Sequence, residues 1–123
     1  MAQVSVLLID DEPLIRKTTK MLLTHSNLDC VIAGSGQEGL ELAKQKRPDA
    51  IMLDLVMPGM DGWQVLEKLK EDPELKDIPV IVFTAGDPEE VYLKGGAAVC
   101  SKPFKVADLL TTLSKVIPAD KTD

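Results

Sequence analysis

Ala50-Ile51-Met52-Leu53-Asp54-Leu55-Val56-Met57-Pro58-Gly59 carries a short apolar run to a single acid and then into a loop that also holds Gly62. A buried strand that ends on an acid sets a carboxylate at the rim of a core, half out of water. An unpaired charge is strongly penalised there. Asp54 is therefore paired at that rim, or reacts there, and the rest of the chain indicates both.

Working outward, Val4 to Ile9 is another near-continuous apolar run, ending in Asp10-Asp11-Glu12-Pro13. Strands apolar on both faces belong to sheets covered on both sides. Pro13 suits the first turn of a helix, with acids before it at the positive end of the dipole. That helix runs to about Leu23, with Leu14, Ile15, Thr18, Met21 and Leu22 at helical spacing. Leu28 to Ala33 reads as a second strand, placed at an edge by Asp29. Ser35-Gly36-Gln37-Glu38 is a capping box opening a helix to about Lys46, with Leu40 and Ala43 inward. Asp61-Gly62-Trp63-Gln64 caps a third helix whose apolar face is Val65, Leu66 and Leu69. Ile78 to Thr84 is a fourth strand. Asp87-Pro88-Glu89-Glu90 opens a short helix to about Lys94, stopped by Gly95-Gly96. Ala97 to Ser101 is a weak fifth strand. Lys105 to Ile117 is a final helix, and Pro118 to Asp123 a polar tail.

Strand and helix alternate five times, which specifies an α/β layered fold with a parallel sheet. Ligands bind such sheets at the carboxyl ends of the strands, where strand order reverses. Those ends carry Asp10 and Asp11, Asp54, Thr84 and Lys102. Three carboxylates at one rim repel, each pair at ~4 Å by about 4 kcal/mol for an effective dielectric near ~20. Lys102 or a divalent ion must offset them, and an all-oxygen site with few protein ligands suits Mg²⁺. A carboxylate beside such an ion can attack a phosphoryl group and form an aspartyl phosphate. Thr84 would donate to one phosphoryl oxygen and Lys102 would place a compact charge on another. Such chemistry is mostly positioning and charge neutralisation.

Bulk properties narrow the setting. The 123 residues suit one domain, with its core over about 4–117 and the tail over 118–123. With 45% hydrophobic and 28% charged residues the chain has globular composition. A net charge of −6 argues against nucleic acid as a direct partner. No apolar run is long enough to span a bilayer. Met1-Ala2-Gln3 has no signal-peptide character, so a cytoplasmic location is expected. Cys30 and Cys100 lack metal-ligand spacing and read as buried small hydrophobes. The lone His25 falls at a helix end, Trp63 reads as half-buried packing, and Met52, Met57 and Met60 as core or loop filler.

Asp10-Asp11, Asp54 with Met57-Pro58-Gly59-Met60-Asp61-Gly62, Thr84-Ala85 and Lys102-Pro103-Phe104, in this order and spacing, resemble the receiver domain of bacterial two-component response regulators. The resemblance spans roughly Val4 to Ile117. It implies a flavodoxin-like doubly wound sheet of order 2-1-3-4-5 flanked by five helices. It makes Asp54 the phosphoacceptor, charged from a histidine kinase or histidine phosphotransfer protein, with only slow self-dephosphorylation. It implies Mg²⁺ held by Asp11, Asp54 and the Val56 backbone carbonyl, with Asp10 acting through water. Thr84 and Lys102 would contact the phosphoryl group, the Lys102–Pro103 bond would be cis, and a downstream protein would read the result. Cys30 and Cys100 would then lie on opposite edges, roughly 19 Å apart at ~4.8 Å per strand, too far for a disulfide.

The chain departs from this family in two places. Val99 stands three residues before the lysine, where relatives carry Tyr or Phe, and Thr84 to Lys102 is about one helical turn shorter than usual. Val56, two residues after the acceptor, cannot hold an attacking water, whereas Gly86 leaves the site open. Two competing functions follow: a phosphoacceptor switch, and an interaction module that keeps the fold but signals without phosphorylation. A phosphatase with an aspartyl nucleophile ranks behind both, since such enzymes use an acid where this chain has Val56.

Overall fold

A computed structural model of the protein describes residues 4–55, 61–83, 89, 91, 95–100 and 106–117. Its elements in chain order are β1 (Ser5–Ile9), α1 (Pro13–His25), β2 (Asp29–Ala33), α2 (Gly36–Lys46), β3 (Ala50–Asp54), α3 (Gly62–Glu71), β4 (Val80–Phe83), β5 (Ala98–Cys100) and a last helix, α4 (Val106–Val116). All five strands are parallel, in the order β2-β1-β3-β4-β5. The expected doubly wound architecture is therefore present, and Asp29 does mark an edge strand. Among the described residues four helices are complete. Of the short helix expected over 87–94 only Glu89 and Val91 are described, both helical. It closes through the Gly96 N–H on the Val91 carbonyl at 2.9 Å, beside a left-handed Gly95 at φ 98°.

The pleat sorts the apolar runs into two cores. Leu7, Ile9, Ile51, Leu53, Val80 and Val82 face α2 and α3, packing on Ala43, Val65, Leu66 and Leu69. Their neighbours Val6, Leu8, Ala50, Met52, Ile81 and Phe83 face α1 and α4, packing on Leu23, Leu109, Leu113 and Ile117. Successive side chains point to opposite faces, so a strand buried on both sides must be apolar throughout. Trp63 packs half-buried against the first core, as expected.

Several elements differ from expectation for identifiable reasons. Along α1 the residues at helical spacing form two neighbouring stripes. The one that meets the sheet carries Thr19 and Leu23, whereas Leu14 and Met21 are 75% and 54% exposed. Of the expected inward set, Ile15 and Leu22 are half-buried and Thr18 is exposed. At the start of α2 the Ser35 hydroxyl accepts from Glu38 N–H at 3.2 Å, but the Glu38 carboxylate accepts from Gly34 N–H at 2.7 Å. The capping box is thus displaced by one residue. At α3 it is reciprocal, with Gln64 N–H on Asp61 Oδ1 at 2.9 Å and Asp61 N–H on Gln64 Oε1 at 3.0 Å. β4 begins at Val80 rather than Ile78. Pro79 has no N–H to give a ladder, and the Ile78 carbonyl is taken by Lys70 Nζ at 3.2 Å.

Cys30 and Cys100 are free, buried and on opposite edge strands. Burial, opposed by Lys20 and reinforced by Asp29, pushes the Cys30 thiol up from 9.0 to about 11. A thiol held protonated is a poor nucleophile. Native protein at about pH 8 should leave Cys30 unmodified by Ellman's reagent, with reaction only after unfolding in urea. The folded state holds this proton more tightly than the unfolded one, so the stabilisation is complete below pH 9.0 and is lost as pH rises towards about 11. The phase of α1 is equally testable by urea denaturation. Leu23→Ala should cost about 2–5 kcal/mol, and Leu14→Ala less than about 0.5 kcal/mol. Equal losses would mean that the other stripe faces the sheet.

Candidate functional site

Strand order reverses between β1 and β3, which lie side by side with β1 continuing to β2 and β3 to β4. Ile9 stands opposite Leu53, so the next residues, Asp10 and Asp54, emerge at the same level of adjacent strands. Register alone therefore brings the two acids together at the carboxyl rim. Asp10 is 1% exposed and Asp54 3% exposed, while Asp11 is half-buried. One carboxylate oxygen from each of the three lies within 4.8 Å of those of the other two.

Local chemistry holds each acid in place. Asp10 extends the ladder one residue past β1, its N–H on the Ala33 carbonyl at 3.1 Å. Its Oδ1 accepts from Glu12 N–H at 2.9 Å, an Asx-type turn that reverses the chain into α1. The Arg16 guanidinium donates to the Asp10 carbonyl at 2.9 Å. Asp54 is the last residue of β3, opposite Phe83 of β4. Just beyond it Leu55 accepts from Gly62 N–H at 3.0 Å, folding the start of α3 back onto the strand end. An added methyl on Gly62 would overlap Leu55 Cα and the Asp54 carbonyl, so this approach requires glycine.

Three carboxylates this close, two of them almost wholly buried, form an all-oxygen donor set. That set fits a hard divalent cation such as Mg²⁺. Two clefts of about 310 and 200 Å³ lie elsewhere, the larger between α2 and α3, and neither is lined by Asp10, Asp11 or Asp54.

Of the expected site residues, the structure thus gathers Asp10, Asp11 and Asp54. Thr84, Lys102, the Val56 carbonyl and Gly86 lie outside the described residues, as does the Lys102–Pro103 bond. Val99 is half-buried against the core that faces α2 and α3. Arg16 was missed from the sequence, because a basic residue in the second turn of a helix is unremarkable until its partner is known.

The sequence profile of the response regulator receiver domain matches residues 6–114. The chain belongs to the response regulator receiver domain family. It is 35% identical over 117 residues to the polar-differentiation response regulator DivK of Brucella anthropi, covering 92% of this chain and 95% of that one. Among solved structures, the chemotaxis protein CheY4 of Vibrio cholerae superposes with a TM-score of 0.88 at 28% identity, over 94% of this chain and 100% of the other. The receiver domain of a sensor histidine kinase from Pseudomonas aeruginosa gives 0.84 at 26% identity, over 93% and 97%. That neighbour is described with a magnesium ion coordinated in its active-site cleft. For this receiver domain, the backbone approach at Gly62 makes a direct prediction. Gly62→Ala should cost about 1–3 kcal/mol in urea denaturation, because backbone rather than a rotatable side chain must yield. An unchanged midpoint would show that the loop is freely adjustable.

Proposed function

We propose that this receiver domain is a phosphoacceptor switch of a two-component system, acting in the cytoplasm as a regulatory domain rather than an enzyme. The observation that carries the reading is the placement of Asp54. It ends the central strand, almost wholly buried, with carboxylate oxygens of Asp10 and Asp11 within 4.8 Å, in a chain of the receiver family. The donor is a phosphohistidine on a histidine kinase or histidine phosphotransfer protein. A carboxylate oxygen of Asp54 attacks phosphorus and the new O–P bond forms as the N–P bond breaks. The bonding pair leaves with the imidazole nitrogen, which takes up a proton. Asp11, Asp54 and the Val56 carbonyl would hold Mg²⁺, and Asp10 would reach it through water. Bound there, the ion supplies charge neutralisation for the acids and the phosphoryl oxygens. Thr84 donates to one phosphoryl oxygen and Lys102 pairs with another. The resulting acyl phosphate, slow to hydrolyse itself, shifts a conformational equilibrium that a downstream protein reads.

One observation favours a second reading, a receiver-fold module that signals without phosphorylation. Val99 offers a half-buried aliphatic side chain where relatives carry an aromatic ring. The two readings separate by intact mass after incubation with phosphoramidate or acetyl phosphate and Mg²⁺, beside an Asp54→Asn control. A gain of one phosphoryl group that requires both Asp54 and Mg²⁺ is expected. No gain in folded protein would overturn the switch and leave the module.

A further inference from the structure

We infer that Arg16 is a positioning residue for the acid cluster, fixing the peptide between Asp10 and Asp11 and so the direction from which Asp11 enters the site. The inference rests on the Mg²⁺-binding part of the reading above. When β1 ends, the N–H of Asp10 still finds Ala33, but its carbonyl belongs to the peptide that turns away from the sheet. A buried carbonyl needs a donor. Arg16 Nη1 supplies it at 2.9 Å from about one turn into α1. A hydrogen bond from a charged donor is among the stronger ones available.

The guanidinium also lies close to Gly34 of the loop after β2. A methyl added to Gly34 would lie 3.1, 3.2 and 3.5 Å from Arg16 Nη1, Cζ and Nη2. The guanidinium therefore occupies the space into which a side chain at position 34 would project, and glycine leaves that space open to it. Gly34 is in turn fixed by its N–H on Glu38 Oε1 at 2.7 Å. One side chain therefore ties α1 to the turn after β1 and lies beside the loop after β2. This fork of donors on a planar face is a property of arginine that lysine shares only in charge and reach.

Positioning and simple electrostatics predict opposite signs. If Arg16 were only a nearby positive charge, removing it would ease cation entry and tighten Mg²⁺ binding. If it holds the Asp10–Asp11 peptide, removing it loosens a ligand and weakens binding. Residues that orient metal ligands typically contribute 10–100-fold in affinity, so Arg16→Met should weaken Mg²⁺ binding by about tenfold.

The test is titration of the full chain with magnesium chloride, followed by calorimetry, for wild type, Arg16→Met and Arg16→Lys, with thermal melts alongside. Arg16→Lys, which keeps the charge and can reach the carbonyl with one donor, should fall between the other two. Affinity in folded Arg16→Met within about twofold of wild type, or tighter, would overturn the inference, since outer partners of a metal site contribute more than that. If Arg16→Met does not fold, Arg16→Lys decides: weaker binding supports positioning and unchanged binding overturns it. A wild type that binds no Mg²⁺ would also overturn it. Wild type that binds Mg²⁺ but gains no phosphoryl group would defeat the switch while leaving the Arg16 result to stand on the titration.

Discussion

The structure depends on one uncomfortable placement, a carboxylate at the end of a strand otherwise sealed from water. Ala50, Ile51, Met52 and Leu53 are completely buried, and Asp54 follows them at 3% exposure beside Asp10 at 1%. Burial of paired acids is unfavourable both for desolvation and for mutual repulsion. A chain optimised for stability alone would end these strands on an apolar or neutral residue. Retaining three acids here makes the rim a site for something positive, and it makes the local geometry exacting.

Much of the surrounding architecture serves that geometry. The parallel order places β1 next to β3, and their register sets the two acids at one level. Gly62 lets α3 approach the strand end where any side chain would strike backbone. The turn through Glu12 N–H and the guanidinium of Arg16 fix the Asp10–Asp11 segment from the other side. Behind the rim, both faces of the sheet are packed by helices, and a densely packed interior yields little.

Fold class and the meeting of Asp10, Asp11 and Asp54 were legible in the sequence, because they follow from continuous apolar runs ending on acids and from the alternation of elements, whereas the strand order came from the resemblance to the receiver family. The three acids in particular need no side-chain detail: they follow apolar runs that can only be central strands. What escaped was decided by tertiary contacts. The apolar residues of α1 fit two stripes, and only the sheet selects the one with Leu23 over the one with Leu14. Glu38 could cap Ser35 or Gly34, and the loop after β2 selects Gly34. Arg16 acquires meaning only from a backbone carbonyl six residues earlier and a glycine on another loop.

The departure at Val99 bears on how such a site communicates. Val99 stands opposite Val82 in the β4–β5 ladder and packs half-buried towards α2 and α3. A β-branched side chain on a strand has few rotamers, and valine has no ring to move between burial and exposure. Any reading of Asp54 that relied on a swinging aromatic at this position has no moving part here. A state change must instead be carried by backbone and by the charged groups at the rim. The fixed links at the rim, Gly62 N–H on the Leu55 carbonyl and Arg16 on the Asp10 carbonyl, join the strand ends to the starts of α3 and α1 by contacts to backbone that need no such ring.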